Sequence, residues 1–183
     1  MMQRKILSLA MALAFVTFLM VPGVFAEDTI KVGVVGPRTG PAAATGQAFE
    51  EGITLALDVI NNEMGGVLGR KMEVVFEDTG GVPEKAASGF EKLITKDNVV
   101  VTVGESHSSC ALAEVAIAER YKQPLIIAEA WADDITAQGN KYVFRAGPCN
   151  SGVVNDYILG FVKEYDFKRV AVVAENTDWG LGI

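Results

Sequence analysis

Histidine occurs once and cysteine twice in the 183 residues. A zinc centre draws three or four protein ligands, so zinc catalysis or a zinc-stapled fold has little to build on. Cations are also short, with 16 lysines and arginines against 23 acids and a net charge of −7. No Lys/Arg cluster with interleaved aromatics occurs, and so acidic a chain repels phosphate backbones, which makes nucleic acid a poor partner. Internal repeats of short period and low-complexity linkers are absent as well.

What is present begins with an export signature. Arg4 and Lys5 form a short basic region, Ile6 to Val21 is almost wholly apolar, and Val24-Phe25-Ala26 offers a small-residue cleavage site before Glu27. The apolar stretch is at the short end for a membrane span of about 20 residues, so residues 1–26 are expected to be a signal peptide. No cysteine follows the cleavage point, which argues against a lipid anchor. The expected compartment is a periplasm or another extracytoplasmic space. Cleavage removes Arg4 and Lys5 and no acid, taking the formal charge from −7 to −9.

The mature region alternates strand-like and helix-like segments. Ile30 to Val35 is a short β-branched run with no polar alternation after Lys31, as in a strand covered on both faces. From Gln47 to Asn61, Phe49, Ile53, Ala56 and Ile60 fall at steps of four, three and four on one helical face. Asn61-Asn62 and Gly65-Gly66 then stop the helix. Strands are expected at Lys71–Glu77, Val99–Val103, Leu125–Ala128, Tyr142–Arg145 and Arg169–Ala174. Helices are expected at Glu84–Lys96, with Phe90, Leu93 and Ile94 inward, at Ser108–Tyr121 and around Val153–Tyr165. Such alternation implies an α/β fold with a parallel sheet flanked by helices.

The run IKVGVVGPRTGP, a helix ending INNEMGG and then VLGRKMEVVFEDT resemble the amino-terminal lobe of type I periplasmic solute-binding proteins of ABC importers. The branched-chain amino-acid (Leu/Ile/Val) receptors are the subgroup most similar, and the likeness in element order runs from about Thr29 to Trp179. Members of that family have two α/β lobes and roughly twice this length. The resemblance therefore implies an amino-terminal lobe over residues 27–148, the start of a second lobe over 149–183, and a chain that is part of a longer protein. It implies no cofactor, a small-molecule ligand held between the lobes, and ABC permease membrane subunits as partners.

Sites in open α/β sheets form beyond the carboxyl ends of the strands, and three loops qualify here. Gly36 to Gly46 is glycine-rich, but GPRTGP lacks both the GxGxxG spacing and the Walker Gly-Lys-Ser/Thr, which argues against nucleotide. Thr45 matches a place where the family sets a side chain over the ligand; as a sequence feature it reads equally as a helix-entry residue. In the second loop, Gly104 to Cys110, hydroxyls and the free N–H groups of a first helical turn can hold a carboxylate. The resemblance aligns Ser108 with the serine that grips the ligand's α-carboxylate, with Ser109 following it. The plain alternative for Ser108 is a helix N-cap. His107 invites a Ser–His hydrolase reading, but no acid in the sequence is assigned to complete a triad, and a wall of a ligand cleft or a solvated residue is the expectation.

The third loop runs from Ala128 to Thr136. By the resemblance, Glu129 supplies a backbone carbonyl to the ligand's α-ammonium, and Trp131 stands where those receptors place a threonine. An indole cannot accept that hydrogen bond, although its face attracts cations. Trp179 matches an aromatic on the second-lobe side of the cleft. Two facing tryptophans suit a flat aromatic or cationic ligand. A disulfide that joins the loop after the second strand to the serine turn in many members has no counterpart, since those places hold Gly80-Gly81 and His107; a Cys110–Cys149 bridge is left open. Other readings are a ligand-sensing receptor lobe, an amide- or urea-type binder of the same fold, and an α/β enzyme using Glu77-Asp78, a pair that reads more simply as a solvated loop start.

Overall fold

The computed structural model describes residues 29–182. The signal peptide expected at 1–26 lies outside the described residues. Among those described, no helix is long and apolar enough to cross a membrane.

Five strands form one parallel sheet in the order β2-β1-β3-β4-β5: β1 Ile30–Gly36, β2 Met72–Asp78, β3 Val101–Gly104, β4 Leu125–Ile127 and β5 Val143–Arg145. Register sets Gly36 opposite Asp78, Gly104 opposite Ile127 and Ile127 opposite Arg145. The carboxyl ends of neighbouring strands thus share one edge, and the loops leaving them lie side by side. Strand β1, paired on both sides, is buried from Val32 onward, which is why its run carries no polar alternation.

Helices α1 Ala43–Asp58, α2 Pro83–Thr95 and α3 Ser108–Tyr121 connect the first four strands. Phe90 and Leu93 of α2 are fully buried against Ala111, Val115 and Ala118 of α3 and Val35, Leu125 and Ile127 of the sheet. Each such large apolar side chain contributes about 1.5–3 kcal/mol by leaving water. Helix α1 is looser, with only Gly46 buried. A side chain at Gly46 would stand 2.3 Å from the Pro37 carbonyl oxygen, so glycine lets the helix start press on the first loop.

Several expectations are corrected. Helix α1 begins at Ala43, not Gln47, and passes into a π-helical turn, Val59–Glu63, before it ends. Ala56 faces solvent, and Leu57 takes the inward position instead. Asn61 and Asn62 lie within that turn and do not stop it; the helix ends at Glu63, just before Gly65 and Gly66 with positive φ, and the Asn61 amide instead bridges the N–H and C=O of Met72 at 2.7 and 2.9 Å. The helix expected at Val153–Tyr165 starts earlier and in three pieces: α5 Asn150–Val153, a π-helical turn Val154–Ile158 and α6 Leu159–Glu164, after the short α4 Asp134–Ala137. Arg169–Ala174 is not a strand: Val173 is 97% exposed, and no described strand pairs with it. A β-branched run needs a neighbouring ladder to become a strand. The last element is α7, Asp178–Leu181. Cys110 and Cys149 are free thiols, so the bridge left open by the sequence is not formed.

Candidate functional site

Asp78, at the end of β2, builds the first wall. Its carboxylate accepts the N–H groups of Arg38, Thr39 and Gly80 at 2.8, 3.1 and 3.0 Å and the Thr39 hydroxyl at 2.7 Å. Desolvation works against the charged form, yet these donors outweigh it and hold Asp78 below the usual carboxylate range. Glu77 pairs with Lys92 on α2. Both members of the acidic pair are therefore engaged in holding structure.

The second wall follows β3. Glu105 is fully buried, and its Oε1 accepts the N–H of Ser106 at 2.9 Å and of His107 at 3.2 Å. The Ser106 hydroxyl lies 3.1 Å from His107 Nδ1, and Glu105 Oε1 lies 3.5 Å from that same nitrogen. A serine triad needs the hydroxyl on one imidazole nitrogen and the acid on the other; with both on Nδ1, the Glu105-Ser106-His107 run is no triad. The His107 ring rests on Gly81, where a Cβ would come within 3.1 Å of the ring. The two places that the resemblance pairs by a disulfide are thus adjacent, joined by a ring on a glycine.

Helix α3 opens at Ser108. His107 is the cap residue, with no side-chain cap bond, so Ser108 is the first helical residue and not the N-cap. The first bond of the turn runs from Ala111 N–H to the His107 carbonyl at 3.0 Å, leaving the earlier N–H groups pointing out of the helix end. Ser108 itself is buried, and its Oγ accepts the N–H of Ala132 at 3.2 Å. Its hydroxyl hydrogen remains available as a donor.

The third wall is the loop around Trp131, and its backbone is tied from three sides. Glu129 and Ala130 N–H groups reach the Glu105 carbonyl at 3.3 and 3.0 Å. The Arg145 guanidinium, rising from the end of β5, donates to the carbonyls of Ala130 and Ala132, the latter at 2.7 Å. The Trp131 carbonyl accepts the N–H of Asn150 at 2.9 Å. Asp133 accepts the N–H and hydroxyl of Ser151 at 3.1 and 2.8 Å. Desolvation opposes its charge, and the Ser151 donors prevail, holding it below the usual carboxylate range.

These walls enclose an open cleft of about 370 Å³ lined by Ala42, Thr45, Ser106, His107, Glu129, Trp131 and Trp179. Five sequence candidates therefore meet: Thr45, His107, Glu129, Trp131 and Trp179. The other two, Ser108 and Ser109, line an adjoining hollow of about 240 Å³ with Glu175 and Thr177, sharing Ser106, His107 and Trp179 with the first. Sequence reading missed Glu105, Arg145 and Asn150, which touch the loops from beneath and carry no motif. Among the described residues no group of three or more His, Cys, Asp or Glu could hold a metal ion.

A cleft enclosed by the loops at the carboxyl ends of a parallel sheet stands where open α/β folds place their ligand sites. The chain belongs to the periplasmic binding protein family, whose profile matches residues 29–183. It is 33% identical over 160 residues to the leucine-, isoleucine-, valine-, threonine- and alanine-binding protein of Pseudomonas aeruginosa, covering 86% of this chain and 42% of that protein. The leucine binding protein of Thermotoga maritima superposes with a TM-score of 0.75 at 30% identity, over 84% of this chain and 43% of that one. An ABC-transporter solute binding protein of Rhodopseudomonas palustris, in complex with 3,4-dihydroxybenzoic acid, gives 0.73 at 29% identity, over 85% and 42%. The chain thus spans about two-fifths of the length of these relatives. Family membership carries the extracytoplasmic setting with it.

Proposed function

We propose that this chain is the amino-terminal part of a solute-binding component of an ABC importer. It is exported by residues 1–26 into a periplasm or equivalent space and works as a receptor, not an enzyme. Residues 27–148 form the first lobe and 149–183 begin the second. The protein captures a small amino-acid-like or related polar ligand between the lobes, closes on it by a hinge movement, and presents it to permease subunits.

One observation carries this reading: Thr45 in the first turn of α1, His107 on the loop after β3, and Glu129 and Trp131 on the loop after β4 meet Trp179 around a single cleft. Ser108, Ser109 and the open amino end of α3 in the adjoining hollow suit a ligand carboxylate. The indoles favour a flat or cationic group beside it, since a desolvated cation over an aromatic face gains up to about 2 kcal/mol. The Rhodopseudomonas relative with its aromatic acid supports a ligand with a ring. A thermal-shift screen of the full-length mature protein against amino acids, aromatic acids and amides tests the proposal, because a ligand that binds only the native state raises its melting temperature. A stabilising solute is expected; turnover of a panel member would instead favour an enzyme.

A further inference from the structure

We propose that Glu105 is the positioning residue of the cleft, the side chain and peptide that hold the His107 wall and the Trp131 wall in fixed relation. Its carboxylate takes the N–H groups of Ser106 and His107 at 2.9 and 3.2 Å and stands 3.5 Å from His107 Nδ1. Its peptide carbonyl takes those of Glu129 and Ala130 at 3.3 and 3.0 Å, immediately before Trp131. One residue therefore anchors two loops that come from different strands.

Burying a carboxylate is unfavourable unless hydrogen bonds replace its water. Glu105 is fully buried, and its Oε2 has no partner among the described residues. The bonds set against that cost are the ones made by Oε1, and they order the loop. An apolar side chain at this strand end would be buried without penalty, yet it would take the acceptor from two backbone N–H groups and leave the His107 Nδ1 only its contact with the Ser106 hydroxyl. Behind Glu105, on α3, Glu114 is also fully buried with both oxygens unpartnered. Burial, and then the Glu105 charge, push the Glu114 carboxyl well above its ordinary range. The nearby Cys110 thiol is pushed up to about 12, by burial first and then by neighbouring acidic side chains, and stays a neutral filler.

The importance of this device rests on the cleft being the solute site, but its test uses no ligand, so either idea can fail without the other. His107 is the sole histidine, so a long-range ¹H–¹⁵N spectrum of the full chain reads its imidazole alone. Wild type is expected to show one tautomer and slow amide exchange at Ser106 and His107, whose N–H groups bind the Glu105 side chain. Glu105→Gln keeps an acceptor at Oε1 and should preserve both signatures. Glu105→Met fills the space without an acceptor and should lose both, while protection in β1 and β2 stays as it was. Should Glu105→Met not fold, Glu105→Asp carries the test, since it keeps the charge but withdraws the acceptor by one methylene and should lose both signatures. Met or Asp behaving as wild type, or Gln failing to preserve the order, overturns the proposal.

Discussion

The side-chain amide of Asn150 donates to the carbonyl of Trp179 at 2.8 Å, while its own N–H reaches the carbonyl of Trp131 at 2.9 Å. A single buried asparagine thus joins the backbones of the two tryptophans that line the cleft. Asn150→Ala removes the bond to Trp179 and keeps the one to Trp131. The expected cost is about 0.5–1.5 kcal/mol, the net worth of a typical intramolecular hydrogen bond. Because the chain has two tryptophans in all, its emission reports on the cleft; Asn150→Ala should red-shift it and make it more accessible to acrylamide. Urea unfolding gives the stability change.

Ser108→Ala should act twice. It leaves the buried N–H of Ala132 without its acceptor, at about 1–3 kcal/mol of stability. It also removes a hydroxyl beside the open end of α3, and a ligand carboxylate should bind about 1.5–3 kcal/mol more weakly, the range for a hydrogen bond to a charged group. Calorimetry and thermal unfolding on the same variant separate the two effects. Unchanged affinity for a ligand with a confirmed carboxylate would confine Ser108 to the structural role.

Glu114 gives a pH dependence with a definite sign. Its native pKa lies well above the ordinary 4.5 through burial and then the Glu105 charge, so between those two values the folded chain holds a proton that the unfolded chain has released. Stability from this group is full below about pH 4.5 and falls as pH rises toward the native value, by at most about 1.4 kcal/mol per pH unit for one proton. Glu114→Gln does not titrate and should remove that slope, gaining on wild type as pH increases. Parallel melting profiles across that range would contradict a buried neutral acid.

Helix α3 is legible in the sequence because local and tertiary signals agree: Ala111, Val115 and Ala118 make one buried stripe, and its bounds match the expectation. Glu114 falls on that same stripe, so its burial was readable from spacing alone. The clustering of Thr45, His107, Glu129, Trp131 and Trp179 follows from loop position after parallel strands and from the family resemblance. Glu105, Arg145 and Asn150 are less accessible to such reading, since each acts through backbone groups of loops distant in sequence. Arg169–Ala174 shows the opposite failure, a strong strand composition with no strand to pair it among the described residues.

On the proposed function, Trp131 is the residue expected to set which solutes fit. By the resemblance, its indole stands where those receptors place a threonine, which would remove an acceptor for an α-ammonium; in the cleft it lines the wall together with Glu129 and Thr45. A ligand group left unpaired costs about 1–3 kcal/mol, and more when charged. Calorimetric titration of the full-length protein with leucine, phenylalanine and tryptophan, repeated on Trp131→Thr, tests the account most directly. Weak leucine binding and tighter aromatic binding are expected in the wild type, with preference moving toward leucine in Trp131→Thr. Tight leucine binding by the wild type, no weaker than that of Trp131→Thr, would contradict it.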